Sequence, residues 1–393
     1  MKKDIVLYID AMIMPDKNAA AQRATAICKS LIDIHKKPVV IGLDNDIEQK
    51  TPIEDTKKQY SGIDCYAVKY PESITEWLIR MTTIKPFIKI MKIYGIDRIH
   101  SIIAMDYEVT ALFRLRMFCK NHNIKLIADS VEWYGKSRLP FPMKIAKNLD
   151  TNIRMKCLYP KFENMICISS YLKNYFKDKV SNIIVIPGTI DIDDIKWGRV
   201  NKYKGNDIFT LGYAGNPGFN FDKERIDWLI ESVIELNEEG YRCKLIMAGF
   251  DENIIKNEKI NLCNNMYYEK RVKHLGIISH IECLDMIALC DFSVIARNDN
   301  RITRAGFPTK FSESFGCGTP VITTPSSNVA DYIIEGETGI LVEKFSKDSL
   351  KQAIKQAMQY SKKELMNIHQ NLKKNDCLDY RKFSLSLKEL LDK

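Results

Sequence analysis

The fold is decided by residues 301–322, RITRAGFPTKFSESFGCGTPVI. Pro308 breaks the chain, and residues 310–315 contain no breaker, so they predict a short helix that Gly316 and Gly318 are expected to end. The β-branched run that follows is typical of a buried parallel strand. The stretch therefore predicts a loop, a helix and a strand, in the order from which α/β folds are built.

The predicted helix start at Thr309 has the properties of an anion site. A helix that begins after a flexible turn presents unpaired backbone amides and the positive end of its dipole, and both favour phosphate. Arg301, Arg304 and Lys310 surround this start, and Glu313 lies three residues after Lys310 on the same face. This pattern predicts a sugar-nucleotide site, in which the cations hold the diphosphate and the carboxylate accepts ribose hydroxyls. The alternative is a strand-capping turn with solvated charges.

The same residues resemble a known signature. Residues 306–313, GFPTKFSE, are similar to the donor motif of one branch of the retaining GT-B glycosyltransferases of family four, the glycosyl transferases group 1. The second glutamate of the family's usual motif corresponds to Glu313, whereas the first would fall at Ala305. The resemblance implies two Rossmann-like α/β domains with parallel sheets facing a cleft, and sugar transfer with retention at the anomeric carbon. It also implies that Lys310 and Arg304 stabilise the departing diphosphate.

Two further segments extend the predicted donor site. Residues 209–214 predict a strand, and the turn Gly215-Asn216-Pro217-Gly218 after it resembles the family's YAGSPG element, which lies beside the donor phosphates. Family members usually carry a lysine shortly after this element, and Lys223 is the nearest match. The predicted strand 292–296 delivers Arg297 to the central motif. Gly215, Asn216, Lys223, Arg297 and Thr309 are therefore predicted to contact the donor.

The first half of the chain offers a second pair of carboxylates. Asp129 and Glu132 follow the predicted strand 125–128, within a segment that resembles the D-x-V-E-W element of the same branch. They are candidates for gripping an acceptor hydroxyl or the donor sugar, and Glu132 is the candidate catalytic group. The alternative is a loop whose acids cap the next helix. Arg23, on the predicted helix 19–34, is expected to be a solvated charge.

Composition bounds the class of protein. With 393 residues, 45% hydrophobic and 28% charged, the chain is long enough for two globular domains. A net charge of +9 favours anionic small molecules or an anionic membrane, and no nucleic-acid motif appears. Eleven unpatterned cysteines indicate reduced thiols in the cytoplasm and argue against structural zinc. No apolar run approaches the roughly 20 residues that span a bilayer.

A basic, apolar-interleaved stretch predicts the site of any membrane contact. Its cations are Lys136, Arg138, Lys144, Lys147, Arg154, Lys156 and Lys161, against the single acid Asp150. Such a segment binds anionic lipid surfaces. We therefore expect a cytoplasmic protein with a peripheral contact on the inner face of the plasma membrane. The alternative is a solvated helix.

The domain organisation follows from the alternation of predicted strands and helices. Residues 1–190 are expected to form an acceptor-side Rossmann-like domain, and residues 208–377 the nucleotide-sugar domain. The polar segment 191–207 is expected to be a linker. Residues 378–393 predict a terminal helix that, as in the family, packs back on the first domain.

The predicted function is a hexosyl- or N-acetylhexosaminyltransferase. Its donor would be a nucleotide-diphosphate sugar, its acceptor a glycan, a lipid-linked glycan or another hydroxyl, and its setting polysaccharide biosynthesis. No cofactor or metal is expected, because the protein itself supplies the positive charge. Two alternatives remain open at this point. One is a sugar-nucleotide epimerase on the same fold, and the other is a non-catalytic binding subunit, which the alanine at position 305 favours.

Overall fold

The structure, a computed structural model, describes residues 3–48, 50–133, 141–198 and 203–393. The chain divides into two compact units. The first comprises Met1–Thr189 and Asp379–Lys393, and the second is the continuous segment Ile190–Leu378. Each contains one sheet with helices packed on it, so the predicted α/β class and the two Rossmann-like units are confirmed.

The first unit is built on an eight-stranded sheet with the order β3-β4-β2-β1-β5-β6-β7-β8. Only the edge strand β3 pairs antiparallel to its neighbour. The strands are β1 (Ile5–Ile9), β2 (Lys37–Asp44), β3 (Lys58–Tyr60), β4 (Ile63–Lys69), β5 (Ile99–Met105), β6 (Lys125–Ser130), β7 (Asn164–Cys167) and β8 (Asn182–Val185). Apolar side chains on both faces of the central strands are buried, as a parallel sheet covered on both sides requires.

Helices cover both faces of this sheet. They are α1 (Ala19–Asp33), α2 (Ile74–Thr82), α3 (Lys85–Tyr94), α4 (Val109–Asn121), α5 (Phe141–Ile153) and α6 (Ser170–Phe176). The crossover through α1 runs along the sheet in one direction, from β1 to β2, whereas those through α2 to α5 run in the other. Because such crossovers are right-handed, α2, α3, α4 and α5 lie on the face opposite α1.

The sequence of residues 74–94 predicts one helical stretch, but the structure has two helices there. The chain leaves helical geometry at Thr83, and Pro86 falls in the first turn of α3. Proline lacks the backbone N–H that an interior helical position would need, but it is tolerated in a first turn. The proline therefore starts a second helix.

The second unit contains a fully parallel six-stranded sheet with the order β11-β10-β9-β12-β13-β14. Its strands are β9 (Phe209–Ala214), β10 (Cys243–Ala248), β11 (Val272–His274), β12 (Phe292–Ile295), β13 (Val321–Thr323) and β14 (Gly339–Leu341). Its helices are α7 (Ile226–Glu238), α8 (Asn253–Cys263), α9 (Met266–Arg271), α10 (His280–Ala288), α11 (Arg301–Ala305), α12 (Thr309–Cys317), α13 (Lys347–Ala357) and α14 (Lys362–Leu372).

The central motif folds largely as predicted, with one difference at its end. Helix α12 begins at Thr309, and Gly318 ends it in the left-handed conformation at φ 73°. Gly316, predicted to help end the helix, lies inside it instead. A β-carbon there would stand 2.7 Å from the ring of Trp197, so the glycine makes room for the indole.

The same tryptophan accounts for a difference in the predicted linker. Trp197 is 2% exposed and its Nε1 donates to the carbonyl oxygen of Asp191 at 2.6 Å. Tyr203 is also buried, in the core of the second unit. Residues 191–198 and 203–207 therefore belong to the second unit and are not an exposed connection.

The last helix, α15 (Arg381–Asp392), belongs to the first unit. Leu387, Leu390 and Leu391 are almost fully buried and share a core cluster with residues of β1 and α1. Lys125 on β6 also donates to the carbonyl oxygen of Leu391. The first unit is thus assembled from two pieces of chain that are separate in sequence.

In the parts of the chain that the structure describes, no helix has the length and apolar content needed to cross a bilayer. Part of the basic stretch that is predicted to contact the membrane is not among the described residues. Lys136, Arg138 and Leu139 lie outside the described residues, as do the side chains of Phe141 and Met143.

Candidate functional site

A pocket lies in the second unit, between β9, β12, α10 and α12. Its lining residues are Gly212, Tyr213, Ala214, Cys283, Leu284, Ile287, Ser293, Val294, Ile295, Lys310, Glu313 and Ser314. Lys310 and Glu313, both predicted from the central motif, therefore reach one pocket from successive positions of one helix face.

Lys310 extends from the first turn of α12 to a buried carboxylate. Its ammonium group donates to Oε2 of Glu224 and, at 3.1 Å, to the hydroxyl of Tyr213. The Tyr213 hydroxyl donates to the same Glu224 oxygen at 2.5 Å, and the Lys310 Nζ lies 4.2 Å from the centre of the tyrosine ring. The lysine is therefore held in place. It is not solvated, although the strand-capping alternative expects a solvated charge here.

Three cations act on the buried carboxylate of Glu224. Burial raises the pKa of Glu224, but attraction from Lys310, Arg297 and Lys223 outweighs it and holds the pKa below its usual range. The pKa of Lys310 is lowered by burial, and repulsion from Lys223 and Arg297 adds to this effect against the attraction of Glu224. Lys310, Arg297 and Lys223 therefore all act on this one carboxylate, and positive charge that gathers in this way favours a bound anion.

Arg297 is placed by the end of β12. It is 6% exposed, its backbone N–H donates to Oγ1 of Thr324 at 2.9 Å, and its backbone bridges to Glu224. The sequence prediction that β12 delivers Arg297 to the central motif agrees with this placement, since the arginine adds to the field at both Glu224 and Lys310.

The predicted phosphate turn lies directly beside Lys310. Gly215 has φ 116°, in a region that only glycine adopts readily, and a β-carbon there would lie 3.1 Å from Nζ of Lys310. The exposed Asn216 closes the turn, because its Oδ1 accepts from the backbone N–H of Gly218 at 2.9 Å. Backbone and lysine can therefore approach a ligand from the same side.

Glu313 is paired with a residue that the sequence analysis did not select. Its Oε1 lies 3.0 Å from Nε2 of His280, the first residue of α10. That helix start is fixed by a capping box between Ser279 and Glu282. Glu313 thus pairs with a neighbouring helix, and it is not the solvated charge that the strand-capping alternative expects.

The other predicted cations of the motif lie on a separate short helix. Arg301 and Arg304 are exposed on α11, and Arg304 forms a two-pronged ion pair with Asp299. Neither lines the pocket. Ala305, at the position of the family's first glutamate, is fully buried. The structure therefore brings together Lys310, Glu313, Gly215 and Arg297, but not the two arginines of α11.

In the first unit, the predicted pair of carboxylates separates into two roles. Asp129 is fully buried and accepts from Arg23 at Nε (2.8 Å) and Nη2 (2.6 Å), and from the hydroxyl of Tyr8. The expectation that Asp129 grips a substrate is therefore wrong, and so is the expectation that Arg23 is solvated. Glu132 follows β6 in a loop whose backbone N–H donates to Asp106 at 2.9 Å. Its catalytic role stays a prediction.

Comparison with protein families gives a match over this second unit. Residues 219–375 match the family described as glycosyl transferases group 1, a segment that contains Glu224, His280, Arg297, Lys310 and Glu313. An uncharacterised glycosyltransferase of Methanocaldococcus jannaschii is 25% identical over 192 residues. That alignment covers 49% of this chain and 48% of the relative, so the chain matches about half of the relative's length.

Solved structures match over the whole chain. HepE of Anabaena, in complex with UDP, has a TM-score of 0.65 at 16% identity and full coverage of both chains. HepE with UDP-glucose matches with a TM-score of 0.63 at 16% identity, covering 99% of both chains. Sucrose-phosphate synthase of Thermosynechococcus elongatus has a TM-score of 0.71 at 13% identity, covering 99% of this chain and 98% of that one. At such identities the likeness shows the fold, which is GT-B.

Proposed function

We propose that this protein is a retaining glycosyltransferase that transfers a hexosyl or N-acetylhexosaminyl group from a nucleotide-diphosphate sugar to a hydroxyl acceptor. The observation that carries the proposal is the placement of Lys310, fixed by Glu224 and Tyr213, in the pocket that Glu313 also lines, with Lys223 and Arg297 acting on the same carboxylate. This site lies in the segment that matches the glycosyl transferases group 1. That match supports a glycosyltransferase and does not favour the epimerase alternative.

The donor proposed here is a UDP-sugar, because the similar protein HepE is solved with UDP and with UDP-glucose. The diphosphate takes the place beside Lys310, Gly215 and Arg297, where the cations attract it. The ribose hydroxyls donate to Glu313. His280 holds Oε1 of that carboxylate at 3.0 Å, so Oε2 is the oxygen that the ribose meets.

Lys310 has the main catalytic role in this proposal. Negative charge grows on the diphosphate as the bond to the sugar breaks, and a positioned cation in a water-poor pocket stabilises it. The paired Glu224 and Tyr213 fix the lysine, so little reorganisation is needed in the transition state. Thr309 contributes the free amide at the start of α12. Arg301 and Arg304 are proposed to serve the donor from α11 and to be less important.

The acceptor is proposed to be a glycan, a lipid-linked glycan or another hydroxyl compound of polysaccharide biosynthesis. Glu132 of the first unit is the proposed contact for its hydroxyl group. The experiment that tests this part is transfer of radiolabelled sugar from UDP-glucose and UDP-N-acetylglucosamine to membrane extracts. Incubation without acceptor separates transfer from epimerisation, since an epimerase converts the donor alone.

Two variants test the donor site. Glu313→Gln should weaken binding of uridine and UDP alike by about tenfold or more, because a hydrogen bond to a charged group contributes about 1.5–3 kcal/mol. Lys310→Ala should slow turnover more than it weakens uridine binding, because its charge acts on the leaving diphosphate. Calorimetric titration with uridine and UDP, together with turnover assays, measures both effects.

The matched control is Glu337→Gln, an exposed glutamate of the same unit. It should leave uridine affinity, UDP affinity and turnover unchanged. If Glu313→Gln and Lys310→Ala both behave like this control, the pocket is not the donor site. Binding of UDP by the wild type, with no turnover for any acceptor, would instead support the non-catalytic alternative.

A further inference from the structure

An apolar patch lies on the helical face of the first unit that is remote from α1. It consists of Ile74 and Leu78 on α2, Phe113 and Met117 on α4, and Ile145 and Leu149 on α5. These side chains are 42% to 65% exposed. Single exposed apolar residues are ordinary on a protein surface, but contiguous groups of them mark an interaction site.

The patch is continuous because of helix geometry. Each helix contributes two residues spaced four apart, and side chains at that spacing lie one above the other on the same helix face. Helix α4 packs between α2 and α5, and Nη1 of Arg114 ties α4 to the carbonyl oxygen of Thr82 at the end of α2. Three parallel pairs therefore form one surface.

Two of the three helices that carry the patch are basic, whereas α2 has one acid, Glu76, and one cation, the buried Arg80. Helices α4 and α5 contain Arg114, Arg116, Lys120, Lys144 and Lys147, and their single acid is Asp150, which is 8% exposed. Arg114 and Arg116 donate to the backbone carbonyl oxygens of Thr82 and Lys161, which carry no net charge to cancel theirs. The surface is thus apolar in its middle and cationic on the side of α4 and α5.

We propose that this patch docks on an anionic lipid bilayer. A bilayer offers the two things that the surface lacks, an apolar interior for the six side chains and negative headgroups for the cations. A second copy of the chain is a poorer occupant, because symmetric pairing of the patch would bring the cationic rims of both copies together. Docking of this kind goes beyond the transfer reaction and does not require that the donor site be correct.

Vesicle sedimentation tests the proposal with the full chain. The wild type should bind phosphatidylglycerol-rich vesicles much more strongly than phosphatidylcholine vesicles, and high salt should weaken the binding. The double variant Ile145→Glu/Leu149→Glu should reduce binding by about tenfold or more, because it removes buried apolar groups and adds charges that repel the headgroups. Lys144→Glu/Lys147→Glu should reduce binding to anionic vesicles only.

The matched control is Ile277→Glu/Leu385→Glu, which changes two apolar residues outside the patch that are more exposed than Ile145 and Leu149. It should bind vesicles as the wild type does. Wild-type binding by the Ile145→Glu/Leu149→Glu variant, or equal loss in the control, would overturn the proposal. So would a concentration-dependent dimer in sedimentation velocity that this variant abolishes without any vesicle binding by the wild type. If melting shows that the variant is unfolded, Leu149→Gln replaces it under the same criteria.

Discussion

Both units have the same three kinds of side chain beside the first strand of the sheet, but the groups that surround the cation differ. Tyr8 on β1 donates to Asp129, which binds Arg23 of α1. Tyr213 on β9 donates to Glu224, which binds Lys310 of α12. Each unit thus places a tyrosine, a buried carboxylate and a cation from a helix beside the first strand of its sheet.

The difference lies in what else surrounds each cation. Arg23 makes two bonds to Asp129, and its Nη1 donates to the carbonyl oxygens of Ile186 at 2.8 Å and Pro187 at 3.0 Å. Lys310 shares Glu224 with Lys223 and Arg297, which both disfavour its charged form while Glu224 favours it. The first arrangement is complete and stabilises the fold. The second gathers three cations on one carboxylate, which is the arrangement expected where an anionic substrate binds.

The largest effect on stability is expected when the ion pair between Arg23 and Asp129 is broken. Arg23→Met leaves Asp129 buried without its cation and should lower the free energy of unfolding by about 3–5 kcal/mol. Urea unfolding measures the change. The double variant Arg23→Met/Asp129→Leu should recover most of the loss, since it removes both charges. Saturating UDP should leave the difference in unfolding free energy between Arg23→Met and the wild type unchanged. If the single variant is as stable as the wild type, the comparison fails for the first unit.

A smaller effect on stability is expected when Glu224 of the second unit loses its charge. Glu224→Gln should lower stability by about 1–3 kcal/mol, because three cations then face one another around a neutral amide. UDP should restore part of this loss, as its diphosphate supplies the missing negative charge. Thermal melting with and without UDP should therefore show a larger ligand-induced rise in melting temperature for the variant than for the wild type. Equal rises in both proteins would contradict the attraction of these cations for an anion.

The smallest effect concerns a carboxyl group of the first unit whose pKa moves opposite to that of Glu224. Burial raises the pKa of Asp10 from its usual 3.8 to about 7, despite the nearby Arg80. Between these values the folded protein holds a proton that the unfolded chain has released, so stability should fall as pH rises from about 4 to 7 and level off above 7. Asp10→Asn should flatten this profile, because the amide does not titrate. The net gain at pH 7 should be small, since the amide also loses its attraction to Arg80.

Urea unfolding at several pH values checks this prediction, and the exposed Asp33→Asn serves as the control. The control should keep the wild-type slope. A steep profile that persists in Asp10→Asn would show that Asp10 is ionised in the folded protein throughout this range.

The fold could be predicted because the information lies within short stretches of chain. The largely apolar runs of β9 and β12 and the β-branched run of β13 are buried strands, and the alternation with helices specifies parallel pairing. The predicted linker differed because its polar composition hides Trp197, whose role depends on Gly316, more than 100 residues later. Composition alone does not show such a contact.

The site was predicted only in part for the same reason. Lys310 and Glu313 stand in one motif, and helix periodicity places them on one face. Glu224 lies in a polar segment before α7, and only the folded sheet brings it to Tyr213, 11 residues before it, and to Lys310, 86 residues after it. His280 follows a capping-box serine, which signals a helix start but not a partner for Glu313. The contacts of Glu224 and His280 are visible only in the folded structure, because their partners are distant in sequence.

The return of α15 to the first unit has a consequence for how the protein is made. Domains generally complete their folding in the order in which the ribosome releases them. Here the second unit is continuous and can finish first, whereas the first unit waits for Leu387, Leu390 and Leu391. Until they arrive, the surface of α1 that they cover is exposed to solvent. During synthesis the older half of the chain is therefore the last to mature, and it is the half that a chaperone would need to shield.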